Sequence, residues 1–157
     1  MQFTVSSIGK VVREDGYHVL AVDEEYRGGL SGLQGFSHMI VVWWAHLYAQ
    51  DEYRQIKVLD SPYTYGPGKI GVFATRSPVR PNPLGISVVQ IDAVDPDTGV
   101  VKTPYIDAEQ GTPILDIKPY HPSEDRIREV AVPEWCEDWP KWMEDSEDFD
   151  WEKVFNF

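Results

Sequence analysis

The sequence predicts an all-β fold: a small closed β-barrel with short helical connections and a Trp-rich, acidic C-terminal appendage. Three observations point to it. Most of the chain consists of short runs rich in β-branched and aromatic residues, separated by Gly/Pro turns. No G-x-G-x-x-G motif follows a strand, and strands do not alternate with long helices, which argues against a doubly wound parallel sheet. Near residue 134 the chain becomes acidic and rich in tryptophan. The expected division is a barrel domain over 1–133 and a C-terminal segment over 134–157, packed on the barrel or on a dimer partner.

Taken in order, "QFTVSSIGKVV" alternates and predicts strands around Phe3–Val5 and Ile8–Val12. A turn at Asp15-Gly16 leads into a strand over "GYHVLAVD". "RGGLSGLQGFSH" carries four glycines and reads as a turn, with a short helical turn near Leu30–Leu33. "HMIVVWWAHLY" is apolar on both faces, and its β-branched and aromatic content favours a central strand. "DSPYTYGPGK" is a loop, "IGVFAT" a strand, and "LGISVVQIDAVD" the longest strand candidate. "PDTG" is a turn that makes a hairpin of the last of these and "VVKTPYI". "GTPILDIKPY" is a glycine turn, a short apolar run and a proline stop. In the tail, Trp135, Trp139 and Trp142 fall at helical spacing, but Pro140 argues against one continuous helix.

Length and charge bound the function. The 157 residues suit one domain with a real core. Its single cysteine, Cys136, excludes an internal disulfide and a thiolate metal site and fits a cytoplasmic protein. No apolar run is long enough to span a bilayer, so no membrane segment is expected. The net charge of −12 argues against a general nucleic-acid binder. That charge is uneven: Glu134–Glu152 holds nine acids against Lys141 alone, and outside it 17 acids face 13 bases.

The segment "GVFATRSPVRPNPLGIS" carries the strongest chemical signal. Pro78, Pro81 and Pro83 stiffen a loop that displays Arg76, Arg80 and Asn82. One reading is surface ion pairs and a turn cap. The other is a site for a carboxylate or a polar ring, since the Arg fork matches carboxylates and Asn both donates and accepts. In "GTPILDIKPY", Asp116 and Lys118 share one strand face, either as a surface ion pair or beside a ligand's amino or ribose groups. His38 and His46 flank the central run without a metal-ligand pattern, so no metal is expected.

"GFSHMIVVWWAH", "GVFATRSPVRPNPLGIS" and "GTPILDIKPY" together resemble three successive blocks of the TrmO/TsaA-like (VirR-like) family, from about Leu33 to Tyr120. The resemblance implies a small closed β-barrel that binds S-adenosylmethionine, often as a homodimer with the pocket near the interface. The best-known members methylate N6 of threonylcarbamoyl-adenosine at position 37 of threonine tRNAs. Matched motif to motif, the implied cofactor contacts are His46 and Leu47, then Arg76 and Ile86, then Ile114, Leu115, Asp116 and Ile117. Many members also carry a Pro-Arg-Gln segment near the N-terminus. Here "VVREDGYHVLAVDEEYRGGL" lacks it and offers Arg13 or Arg27 as substitutes.

Within that frame Asn82 and Asp116 are the candidate catalytic acceptors for the amine proton. Arg80, Lys118, Tyr63 and Tyr65 are candidate substrate contacts, with the tyrosines as stacking platforms for a splayed base. The leading expectation is an S-adenosylmethionine-dependent methyltransferase acting on tRNA. The alternatives are methylation of a small amine-containing metabolite, and a non-catalytic S-adenosylmethionine-binding module.

Overall fold

The structure, a computed structural model, describes residues 2–14 and 16–156. The turn expected at Asp15-Gly16 falls partly outside them. Nine strands are defined: β1 (Gly9–Glu14), β2 (Tyr17–Val22), β3 (His38–Trp44), β4 (Val58–Asp60), β5 (Lys69–Gly71), β6 (Leu84–Gln90), β7 (Ala93–Asp95), β8 (Val100–Thr103) and β9 (Pro113–Pro119). Helices are short: α1 (Asp51–Gln55), α2 (Pro122–Asp125) and several 3-10 turns.

Seven strands form one antiparallel sheet in the order β6-β3-β9-β1-β2-β8-β7, and β4 pairs only with β5. The sheet is all-β as expected, but it is not a closed barrel. No ladder joins β6 to β7, the two edge strands. They are instead two halves of the predicted long strand "LGISVVQIDAVD", which bends at Ile91–Asp92. The Ile91 N–H donates to the Ser37 carbonyl at 2.9 Å, and the Asp92 N–H to the Lys102 carbonyl at 2.9 Å. One chain segment thus leaves the side of β3 and joins the side of β8. The sheet curls until its edges meet through a covalent bend, and that bend takes the place of the closing ladder.

Two further strand expectations change. Phe3–Val5 joins no strand; Ser7 Oγ bonds back to the Gly9 carbonyl at 2.7 Å, and Phe3 stays 79% exposed. "IGVFAT" is strand only to Gly71, because Val72–Ala74 turns as a 3-10 helix whose Val72 carbonyl accepts from the Thr75 N–H and Oγ1.

The concave side of the sheet holds the core, with Val11, Leu20, Met39, Val41, Val89, Val101 and Ile114 buried. β3 alternates accordingly: Met39 and Val41 point inward, while Ile40, Val42 and Trp44 are half-buried on the outer side. A second, separate cluster joins the β4–β5 arm to the C-terminal tail. In it Tyr63, Ile70 and Val154 are buried among Leu59, Trp135, Trp139, Phe149, Trp151 and Phe155. Trp142 lies outside this cluster, 59% exposed beneath the Arg126 guanidinium. The three tryptophans therefore do not share one helical face: the tail is built of 3-10 turns at Glu134–Cys136, Met143–Ser146 and Trp151–Lys153.

Candidate functional site at the end of the central strand

β6 and β9 both run antiparallel to β3, so the C-terminal end of β3 meets the start of each. Sequence segments far apart thereby converge. The Ala45 N–H donates to the Pro83 carbonyl at 2.8 Å, tying the first block to the second. His46 Nδ1 lies 3.4 Å from Thr112 Oγ1, tying the first block to the third. His46 opens a 3-10 turn (His46–Tyr48) on which Leu47 is 53% exposed.

The register sets which side chains share a face. Val42 stands opposite Ile86 on one side and Asp116 on the other. Ile40 stands opposite Val88 and Lys118 in the next row. Directly opposed residues project from the same face. Ile86, Val42 and Asp116 therefore form one row on the outer face, with Lys118 beside Asp116. An irregularity in the β3–β9 pairing falls between Val42 and Trp43, where Leu115 is the unpaired extra residue. Ile114 and Ile117 point the other way: Ile114 is fully buried and Ile117 packs on the core. At these two positions only the backbone is available to a ligand on the outer face.

The Asp116 carboxylate accepts from the Ile117 N–H at 2.9 Å and pairs with Lys118 Nζ at 2.8 Å. Both side chains are about half exposed or more. The hydrogen bond to Asp116, then its charge, raises the Lys118 pKa above the ordinary lysine value.

The Pro-rich loop is held by more than its prolines. Thr75 Oγ1 accepts from the Ser77 N–H, and Ser77 Oγ from the Val79 N–H, each at 3.2 Å. Arg80 is half-buried and donates to the Val72 carbonyl at 3.2 Å, so it acts as a strut inside the loop. Arg76 is exposed and makes no hydrogen bond or ion pair among the described residues. Asn82 is exposed, and its carbonyl accepts from the Leu84 N–H at 2.7 Å. Arg54, which sequence reasoning missed, donates from Nε to the Pro81 carbonyl at 2.8 Å and lies over Trp44. Nothing in its local sequence marks it, because the contact crosses 27 residues.

The tyrosines separate. Tyr65 is 78% exposed. Tyr63 is buried, with its ring stacked on Trp135 at 4.8 Å, so it is not an open platform for a base. Burial, then the nearby Cys136 thiol, pushes its hydroxyl pKa up. Surface depressions lie elsewhere among the described residues. One of about 490 Å³ is lined by Tyr65, Gly66, Pro67, Glu134 and Trp135; another, of about 240 Å³, by Arg13, Glu14, Gly16, Tyr17 and His18. Neither includes Arg76, which lies in the Pro-rich loop, nor Ile86 or Asp116, which lie on the outer sheet face.

A curled antiparallel sheet with a carboxylate and bare apolar side chains in one row across β6, β3 and β9 defines an all-β domain with an outer face open to a ligand. The family described as "tRNA-methyltransferase O N-terminal domain" matches residues 9–126, and the chain belongs to it. An S-adenosyl-L-methionine-binding protein of Archaeoglobus fulgidus is 34% identical over 119 residues, which cover 74% of this chain and 78% of that one. The tRNA (adenine(37)-N6)-methyltransferase of Escherichia coli is 35% identical over 103 residues, 64% of this chain. This chain spans only 43% of that enzyme's length. The crystal structure of TrmO from Pseudomonas aeruginosa superposes with a TM-score of 0.64 and 27% identity, covering 83% of this chain and 61% of that one. Among the described residues, no helix is long and apolar enough to cross a membrane.

Proposed function

We propose that this chain is an S-adenosylmethionine-dependent methyltransferase that acts on N6 of adenosine 37 in tRNA, in its threonylcarbamoyl form, in the cytoplasm. The observation that carries the reading is the convergence of His46, Asn82, Ile86 and Asp116 at one end of β3, inside a domain of this family.

The residues fit the cofactor. The free Arg76 guanidinium suits its carboxylate, the Asp116 carboxylate suits an amine or ribose hydroxyls, and Leu47 and Ile86 offer apolar surface to an adenine. When bound, the cofactor supplies an electrophilic methyl group on a cationic sulfur. The chain's own work is alignment and proton acceptance. Asp116 receives the proton that the N6 amine loses, and the Asn82 side-chain oxygen orients that amine. Lys118 serves the phosphates, and Tyr65 stacks the base.

The open site is completed by a second copy. Leu84 and Ile86 are 42% and 55% exposed on the outer face, beside half-buried Ile40, Val42, Trp44 and Val88. Bare apolar residues on an outer sheet face suit an interface. A homodimer through this face would wall in Arg76 and Asp116. On this reading the catalytic unit is residues 1–133, and 134–157 is an appendage.

A second reading, methylation of a small amine-containing metabolite, draws support from the acidic tail, since its nine acids repel a polyanion. Titration with salt separates the two: methylation of tRNA falls steeply as salt rises, while that of a small amine barely responds.

A further inference from the structure

The β4–β5 arm is too small to stand alone. It has two strands of three residues each, and such a ribbon is marginal in water. Its apolar side is covered by the tail: Ile70 and Tyr63 are buried with Val154, and Tyr63 meets Trp135, Trp139 and Phe155 at 4.8, 5.5 and 5.7 Å between ring centres. Hydrogen bonds lock the same contact. The Thr64 N–H donates to the Val154 carbonyl at 2.9 Å, and the Asn156 N–H to Pro62 at 3.1 Å. The Asn156 amide donates to the Ser61 carbonyl at 2.8 Å and accepts from Thr64 Oγ1 at 3.0 Å. Ser61 is the one non-glycine among the described residues with positive φ, at 43°. Asn156 thus grips the arm at its strained turn.

The arm runs straight into the Arg76 loop. β5 ends at Gly71, and the Val72 N–H donates to the Lys57 carbonyl at 3.0 Å. The Val72 carbonyl then accepts from Thr75 Oγ1 at 2.9 Å and from Arg80 at 3.2 Å. Position therefore passes from tail to arm, from arm to Val72, and from Val72 to the loop that carries Arg76.

We infer that the C-terminal segment is a clamp in cis that positions the Arg76 loop, with Asn156 as a positioning residue acting through Ser61 and the arm. The link to cofactor binding rests on the function proposed above; the mechanical link does not.

The test uses the full chain with Asn156→Ala, Trp135→Ala, and Asn156→Ala combined with Ser61→Gly. Amide exchange is read at Ser77 and Val79 in the loop and at Leu20 and Val41 in the main sheet, and S-adenosylmethionine affinity is read by calorimetry. Each single variant is expected to speed exchange at Ser77 and Val79 about five- to tenfold, the scale of one lost hydrogen bond, with Leu20 and Val41 unchanged. Cofactor affinity should fall by a similar factor. Ser61→Gly should restore both in the Asn156→Ala chain, because glycine adopts positive φ without help. Unchanged exchange at Ser77 and Val79 in both single variants would overturn the inference. So would faster exchange with unaltered affinity in a chain whose parent binds cofactor. A parent that binds no cofactor would contradict the proposed function instead, and the exchange comparison would then decide the inference alone.

Discussion

Gly85 of β6 lies directly beneath the indole of Trp43 on β3, leaving no room for a Cβ. Trp43 packs on the core and donates from Nε1 to Ser87 Oγ at 3.0 Å. Gly85→Ala must therefore push the ring aside. We expect a loss of about 1–3 kcal/mol, the usual cost of overpacking. Denaturant unfolding measures it, and a shift in tryptophan emission should accompany it.

Among the described residues Arg76 is the unpaired cation of the Pro-rich loop, whereas Arg80 is spent on Val72. Arg76→Ala should weaken S-adenosylmethionine binding about 10- to 100-fold, the worth of a charged hydrogen bond to a carboxylate, with no change in melting temperature. Calorimetry and thermal unfolding of one sample check both halves.

The outer face of β6-β3-β9 should hold a second copy. Val88→Arg places a charge among Ile40, Val42 and Ile86 without touching the buried core. Light scattering should show the parent as a dimer and the variant as a monomer of similar melting temperature. A monomeric parent at tens of micromolar removes the basis for a shared site.

Tyr63 gives the tail an alkaline limit. Burial raises its pKa, so the folded state holds the phenol proton more tightly than the opened state does. The stabilisation is complete below the ordinary tyrosine value near 10 and fades as pH rises from there toward the raised folded value. Release of the tail should accelerate above about pH 10 in the parent and lose that dependence in Tyr63→Phe. Tail fluorescence against pH reads it, because Trp135 and Trp139 both touch this ring.

The central strand, the β7–β8 hairpin and the three converging blocks were legible in the sequence because each depends on local signals: β-branched runs, a Pro-Asp-Thr-Gly turn and fixed motif residues. Sheet closure was not legible. Whether "LGISVVQIDAVD" stays straight or bends at Ile91–Asp92 depends on Lys102 across the next hairpin and on Ser37, which is distant in the chain. Asp116 and Lys118 were placed on one face by strand period alone, and they do pair. Tyr63 was misjudged because its burial comes from Trp135 and Val154, more than 70 residues away. The inward turn of Arg80 is equally a tertiary effect: Pro-rich spacing says that a side chain is held, not which way it points.

Transfer of labelled methyl from S-adenosylmethionine to a total tRNA pool tests the account most directly, with Asp116→Asn run beside the parent. The substitution keeps an acceptor for the Ile117 N–H and removes the charge that receives the amine proton. The account expects label on N6 of adenosine in the parent, and a rate reduced about 10²-fold or more in the variant when both are compared at saturating cofactor. Absence of label in tRNA from a parent chain that binds the cofactor would contradict it.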